Sequence, residues 1–170
     1  EILLVDMGAE YHGYTADITR TIPVDGKFSE EEAAIYNLVL KAQNAGIEAC
    51  KKSADFRAAH RIAYEIIAKG LVELGIISNE SDASKYFMHG TSHYLGLDVH
   101  DPGTYTSLQP GVVMTVEPGI YIANGSPCDK KWWDIGIRIE DDILVTDGEP
   151  IILSGALPRT ITALEALMRE

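Results

Sequence analysis

Four carboxylates and one histidine in this sequence have the types and settings of a metal site. Asp6 lies in LLVDMG, Asp17 in TADITRT, Glu117 in TVEPGIY and Glu140 in GIRIEDD, and His93 sits between the two pairs in HGTSHYLGLDVHD. Each acid follows or interrupts an apolar, β-rich run, where an unpaired charge is costly to bury. Oxygen-rich ligand sets suit hard divalent cations, and two such cations can acidify a water and hold a carbonyl against it. Four negative charges match two divalent ions. One imidazole among them points to manganese, cobalt or iron rather than to thiolate-rich structural zinc.

Taken singly, each residue has a plainer reading. Asp6 fits a strand-end aspartate, Asp17 a partner for Arg20, Glu117 a turn acid before Pro118-Gly119, and Glu140-Asp141-Asp142 a solvated charge run. The set reverses that, because all four acids are embedded in strand-like runs and arranged as two pairs. His12 reads as a turn residue and His60 as an ordinary helix position. His89, His93 and His100 fall in one glycine-interrupted segment. His89 and His93 are not the HExxH of a helical zinc protease, so an irregular segment aiming separate histidines into a cleft is expected. No GxSxG elbow, P-loop or dinucleotide fingerprint is present.

The elements that must position these residues are legible in outline. Residues 2–6 and 14–24 read as a hairpin turning near Tyr11, His12 and Gly13, which brings Asp6 near Asp17. Ser29 and Glu32 form a capping-box pattern ahead of a helix over about 30–51. Asp55 or Ser53 would cap a second helix, about 56–74, stopped by Gly75. Residues 76–111 look irregular. Strands are expected at 112–117, 119–122 and 136–146, with a polar loop containing two tryptophans between them, and a last helix at about 160–169. Strand pairs around a helical middle give an α+β class. LLVDMGAEY faintly echoes MTVEPGIYI, which suggests two pseudo-symmetric hairpin/helix halves, each giving two carboxylates.

The 170 residues suffice for one domain, and apolar (46%) and charged (24%) contents are those of a soluble globular chain. A net charge of −12 argues against nonspecific nucleic-acid binding. No apolar run approaches membrane-spanning length. Cys50 and Cys128 make neither a disulfide framework nor a zinc pattern, so a reducing cytoplasm is the default. The chain opens mid-strand at EILLVD without an initiator methionine, which reads as a fragment of a longer polypeptide.

With these residues in view, the chain resembles the metallopeptidase family (M24 type) that contains aminopeptidase P, prolidase and methionine aminopeptidase. Four runs carry the resemblance, LLVDMGAEYHGYTADITRTIPVDGKF, HGTSHYLGLDVHD, TVEPGIYI and GIRIEDDILVT, and they cover nearly the whole chain. The most similar members are the Xaa-Pro aminopeptidases. The resemblance implies the pita-bread fold, N-terminally truncated here, with residues 1–170 as the C-terminal catalytic domain lacking its first helices and strands and an upstream histidine. It implies two divalent ions, usually manganese and sometimes cobalt or zinc. Asp17 and Glu140 would bridge them, Asp6 would complete one, and His93 and Glu117 the other.

The same resemblance implies attack on the carbonyl before proline by a water or hydroxide between the ions, with Glu117 as proton acceptor. His89 and His100 would contact substrate, and Arg138 and Tyr121 would support the site. The implied partner is a peptide with proline in second position; the parent protein would be a homo-oligomer. An Xaa-Pro dipeptidase and a non-catalytic peptide-binding relative are the alternatives.

Overall fold

The computed structural model describes residues 1–169. Strands β1 (Ile2–Met7) and β4 (Ile18–Pro23) pair antiparallel, with Asp6 opposite Thr19. A small ladder of β2 (Glu10–Tyr11) and β3 (Tyr14–Thr15) forms the tip of the same hairpin. Its turn is His12-Gly13, both at positive φ (52° and 87°), the backbone of a type I′ turn. The expected single strand over 14–24 is therefore broken at Ala16-Asp17. Gly8 permits the close approach at this break, since an added Cβ there would lie 1.8 Å from the Ala16 carbonyl oxygen.

Helix α1 (Glu30–Glu48) begins with the expected capping box, since the Ser29 hydroxyl accepts from Glu32 N–H and the Glu32 carboxylate accepts from Ser29 N–H. Helix α2 (Ala58–Glu73) starts differently from expectation. Its N-cap is Arg57, without a side-chain cap; Asp55 instead accepts the Arg57 N–H in the turn before the helix. Gly75, at φ +70°, follows its end as expected. The two helices pack through Ile35, Tyr36, Val39 and Ala42 of α1 and Ala63, Ile67 and Leu71 of α2.

Residues 76–111 are less irregular than their glycines imply. They hold a 3-10 helix (Glu80–Lys85) capped by Asn79, which the sequence reading did not anticipate. Strands β5 (Val113–Val116) and β6 (Gly119–Ile122) run into a loop whose 3-10 turn, Lys130–Trp132, buries Trp132 in the core. That loop is polar in composition only. The expected strand 136–146 is two strands, β7 (Ile135–Arg138) and β8 (Asp141–Leu144). β5 pairs with β8 and β6 with β7, so this is one long hairpin interrupted at Glu117-Pro118 and Ile139-Glu140. A two-residue strand β9 (Ile151–Ile152), also unanticipated, adds to β8, and helix α3 (Ile161–Leu167) ends the fold under a Thr160 cap. The α+β class stands. No helix among the described residues is long and apolar enough to cross a membrane.

Candidate active site

Three of the four acids sit where a hairpin's ladder is interrupted, and Asp6 lies within β1 opposite Thr19. In the first hairpin, Asp17 occupies the break and gives its backbone N–H to the Asp142 carboxylate, at 3.3 and 3.4 Å. In the second, Val116 pairs with Asp141 and Gly119 with Arg138, leaving Glu117 and Glu140 in the gap between. Glu140 N–H donates to the Thr19 carbonyl at 3.1 Å, which stitches the two hairpins together. A break frees a side chain from strand alternation while the flanking ladders hold it rigidly.

Thr91–Leu95 lies along the free edge of β5. Glu117 N–H donates to Thr91 O, Thr115 N–H to His93 O and Leu95 N–H to Val113 O, at 2.8–3.1 Å. The histidine segment is thus an irregular edge strand, as the glycines around it suggested. The His93 Nδ1 lies 3.0 Å from the Tyr94 carbonyl, which can only accept, so Nδ1 carries the proton. Its Nε2 lone pair then faces Asp17 Oδ2 at 3.3 Å and Glu117 Oε1 at 3.5 Å. A lone pair against two carboxylates calls for a cation or a second proton between them.

Ligand atoms within 4.8 Å of one another form three overlapping triads: Asp6, Asp17 and Glu140; His93, Glu117 and Glu140; and Asp17, His93 and His100. All five positions expected to bind metal fall in these groups. The donor set is four carboxylates and imidazole, which fits hard or borderline divalent cations. Burial pushes the Glu140 carboxyl up to about 8, with the charge of Glu117 adding to it, and pushes Glu117 up to about 7. Asp17 is also raised, first by burial and then by Asp6. Acids crowded and desolvated to this degree are poised to exchange protons for metal.

Arg138 and Tyr121 stand beside the cluster. Arg138 reaches Asp6 Oδ2 at 2.5 Å, Tyr121 Oη at 3.1 Å and Thr19 Oγ1 at 3.0 Å. His89 Nδ1 donates to the Gly90 carbonyl at 2.7 Å, so its Nε2, 2.8 Å from Tyr121 Oη, accepts the phenol proton. Burial lowers the His89 pKa, which keeps the ring neutral. His100 is exposed, with its ring centroid 4.2 Å from that of His93. It borders a cavity of about 400 Å³ together with Asp6, Glu10 and Asp17.

Several residues behind the site escaped the sequence reading. Arg20 does not pair with Asp17 but with buried Asp141, at 2.8 Å, and donates to the Glu140 carbonyl at 2.6 Å. Asp141 also accepts from Gln43 and Ser154 and lies 3.5 Å from Arg159. Asp141 and Asp142 are 0% and 5% exposed, so the acidic run is a buried wall and not a solvated face. Alternation gave a usable signal. Residues 17 and 20 fall on opposite faces of an extended strand.

The model of metallopeptidase family M24 matches residues 1–147. An Xaa-Pro aminopeptidase of Haemophilus influenzae is 42% identical over 99% of this chain, which spans 42% of that protein. Aminopeptidase PepP of Pseudomonas aeruginosa superposes with a TM-score of 0.95 at 40% identity, over 99% of this chain and 41% of that one. Zinc-substituted Escherichia coli aminopeptidase P in complex with product gives 0.94 at 38% identity, again over 99% and 41%.

Proposed function

The chain belongs to metallopeptidase family M24, with its pita-bread fold, and we infer from that membership that the protein is a dinuclear metallo-aminopeptidase removing an N-terminal residue that precedes proline. One observation carries this reading. Glu140 belongs both to the triad with Asp6 and Asp17 and to the triad with His93 and Glu117, so two cations could share it. The names of the relatives at about 40% identity support the Xaa-Pro preference.

Asp17 and Glu140 are proposed to bridge the two ions, Asp6 to complete one, and His93 and Glu117 the other. Manganese suits this oxygen-rich set best, with cobalt and zinc as substitutes. When bound, such a pair lowers the pKa of a water and polarises the scissile carbonyl. Glu117 is the group that takes and returns the proton. Its carboxyl, with Thr115 donating to Oε1 at 3.2 Å, keeps one oxygen oriented. Arg138 and Tyr121 hold Asp6 and His89 in a fixed chain of hydrogen bonds. His89 and His100 are the proposed substrate contacts, and the acidic cavity at Asp6, Glu10 and Asp17 suits the substrate's N-terminal ammonium.

Metal analysis combined with turnover tests this. Two Mn²⁺ per chain and hydrolysis of Xaa-Pro peptides are expected, with metal lost in Asp17→Ala and Glu140→Ala. Variants that bind metal like the parent would sink the bridging assignment. Turnover confined to Xaa-Pro dipeptides would convert the reading to a dipeptidase.

A further inference from the structure

A second cavity, of about 260 Å³, adjoins the histidine segment. It is lined by Phe56, Arg57, His60, Gly90, Thr91, Ser92 and Tyr105. Three of these, Gly90–Ser92, join His89 to His93. Ring contacts run from the cavity into the site, with centroids of His60 and Phe87 at 5.4 Å and of Phe87 and His89 at 5.1 Å.

The chemistry of this cavity differs from that of the acidic one. No carboxylate lines it. Arg57 is exposed, and among the described residues its guanidinium has no ion-pair partner. Arg57 is also the N-cap of α2, where its backbone N–H is taken by Asp55 and its guanidinium is left for other partners. Among the described residues the buried Ser92 hydroxyl has no hydrogen-bond partner, and leaving such a group unsatisfied costs free energy. His60 is held by Thr91, Nδ1 to Oγ1 at 2.9 Å, and burial lowers its pKa, so Arg57 supplies the charge. Phe56 and Tyr105, edge to face at 4.8 Å, give the cavity an apolar wall.

A short peptide is dipolar. Its ammonium end is attracted to Asp6, Glu10 and Asp17, and its carboxylate end to a cavity lined by Arg57 and by no carboxylate. Building on the peptidase reading, we propose that this cavity seats the residue following the proline and that Arg57 pairs with the terminal carboxylate of short peptide substrates. Phe56 and Tyr105 would face an apolar side chain there, and Ser92 would donate to the carboxylate or to the last carbonyl. The site would thus favour free tripeptides over long or C-terminally blocked chains.

The test compares an Ala-Pro-Leu tripeptide with its C-terminal amide in the metal-loaded protein. The acid is expected to be preferred about 10-fold in kcat/KM, through KM, since one charge-assisted pair is lost in the amide. In Arg57→Ala the ratio falls toward one, and Arg57→Lys keeps part of it. An acid-to-amide ratio unchanged by Arg57→Ala overturns the proposal while leaving the peptidase reading intact. Binding of the Pro-Leu dipeptide and its amide, followed by calorimetry, separates the other failure. Preference for the dipeptide acid that vanishes in Arg57→Ala, without hydrolysis of either tripeptide, supports the cavity and sinks the peptidase reading.

Discussion

The Thr19 hydroxyl donates a 2.6 Å hydrogen bond to Glu140 Oε2 and accepts one from Arg138 Nε at 3.0 Å. It is fully buried and lies opposite Asp6 in the β1–β4 ladder. One side chain therefore fixes the orientation of a proposed bridging carboxylate and holds Arg138 from turning onto it directly, since Arg138 Nε is already 4.0 Å from Glu140. Thr19→Val keeps the shape and removes both bonds. Metal affinity is expected to fall about 10-fold, the usual scale for removing a partner of a ligand. Competition with a chelator reads this, and an unchanged affinity would show that Glu140 is held by its backbone alone.

The Arg20–Asp141 pair is the buried charge contact behind the site, at 2.8 Å with side chains 10% and 0% exposed. Removing one partner strands the other in a low-dielectric wall. Asp141 would keep Arg159, Gln43 and Ser154, whereas Arg20 would keep only carbonyl oxygens. Asp141→Ala is therefore expected to destabilise by about 3–5 kcal/mol and Arg20→Met by less. Urea unfolding of the two variants checks the order. Equal losses would mean that the partners of Asp141 do not compensate it.

This pair also shows what could be read from the chain and what could not. The capping box at Ser29 and Glu32 was legible because both bonds are local. The acids of the site were legible because charge inside β-rich runs is costly unless something neutralises it. The breaks at Asp17, Glu117 and Glu140 were not, because contacts distant in sequence set them, such as Asp17 N–H to Asp142 and Glu140 N–H to Thr19. Nor was the buried state of Asp141, which depends on Arg20, Gln43 and Arg159 from three other parts of the fold.

The metal-free protein should lose stability as pH rises. Glu117 and Glu140 have folded-state pKa values of about 7 and about 8, above the ordinary glutamate value near 4.5. Between those limits the folded chain binds more protons than the unfolded one, so unfolding free energy falls with pH. Relative to low pH, the loss starts near pH 4.5 and is complete above about 8. Thermal melts with chelator at pH 5.5 and pH 8 should differ by at least about 5 °C. Mn²⁺ should restore the high-pH value by replacing those protons. A chelated protein equally stable at both pH values would show that these carboxyls ionise freely.

Gly8 sets the separation of Asp6 from Asp17. A Cβ there would fall 1.8 Å from the Ala16 carbonyl oxygen and 2.8 Å from its carbon. Both are backbone atoms, so no side-chain rotation relieves the clash, and the hairpin must open at the break. Gly8→Ala is expected to cost about 1–3 kcal/mol, the range for forced overpacking. It should also weaken metal binding more than Thr19→Val, because displacing residues 16–17 moves Asp17 out of two of the three triads at once. Titration of Mn²⁺ against each variant ranks them. If Gly8→Ala lowered stability but bound two ions with parental affinity, the hairpin break would be a folding device without a role in the metal centre.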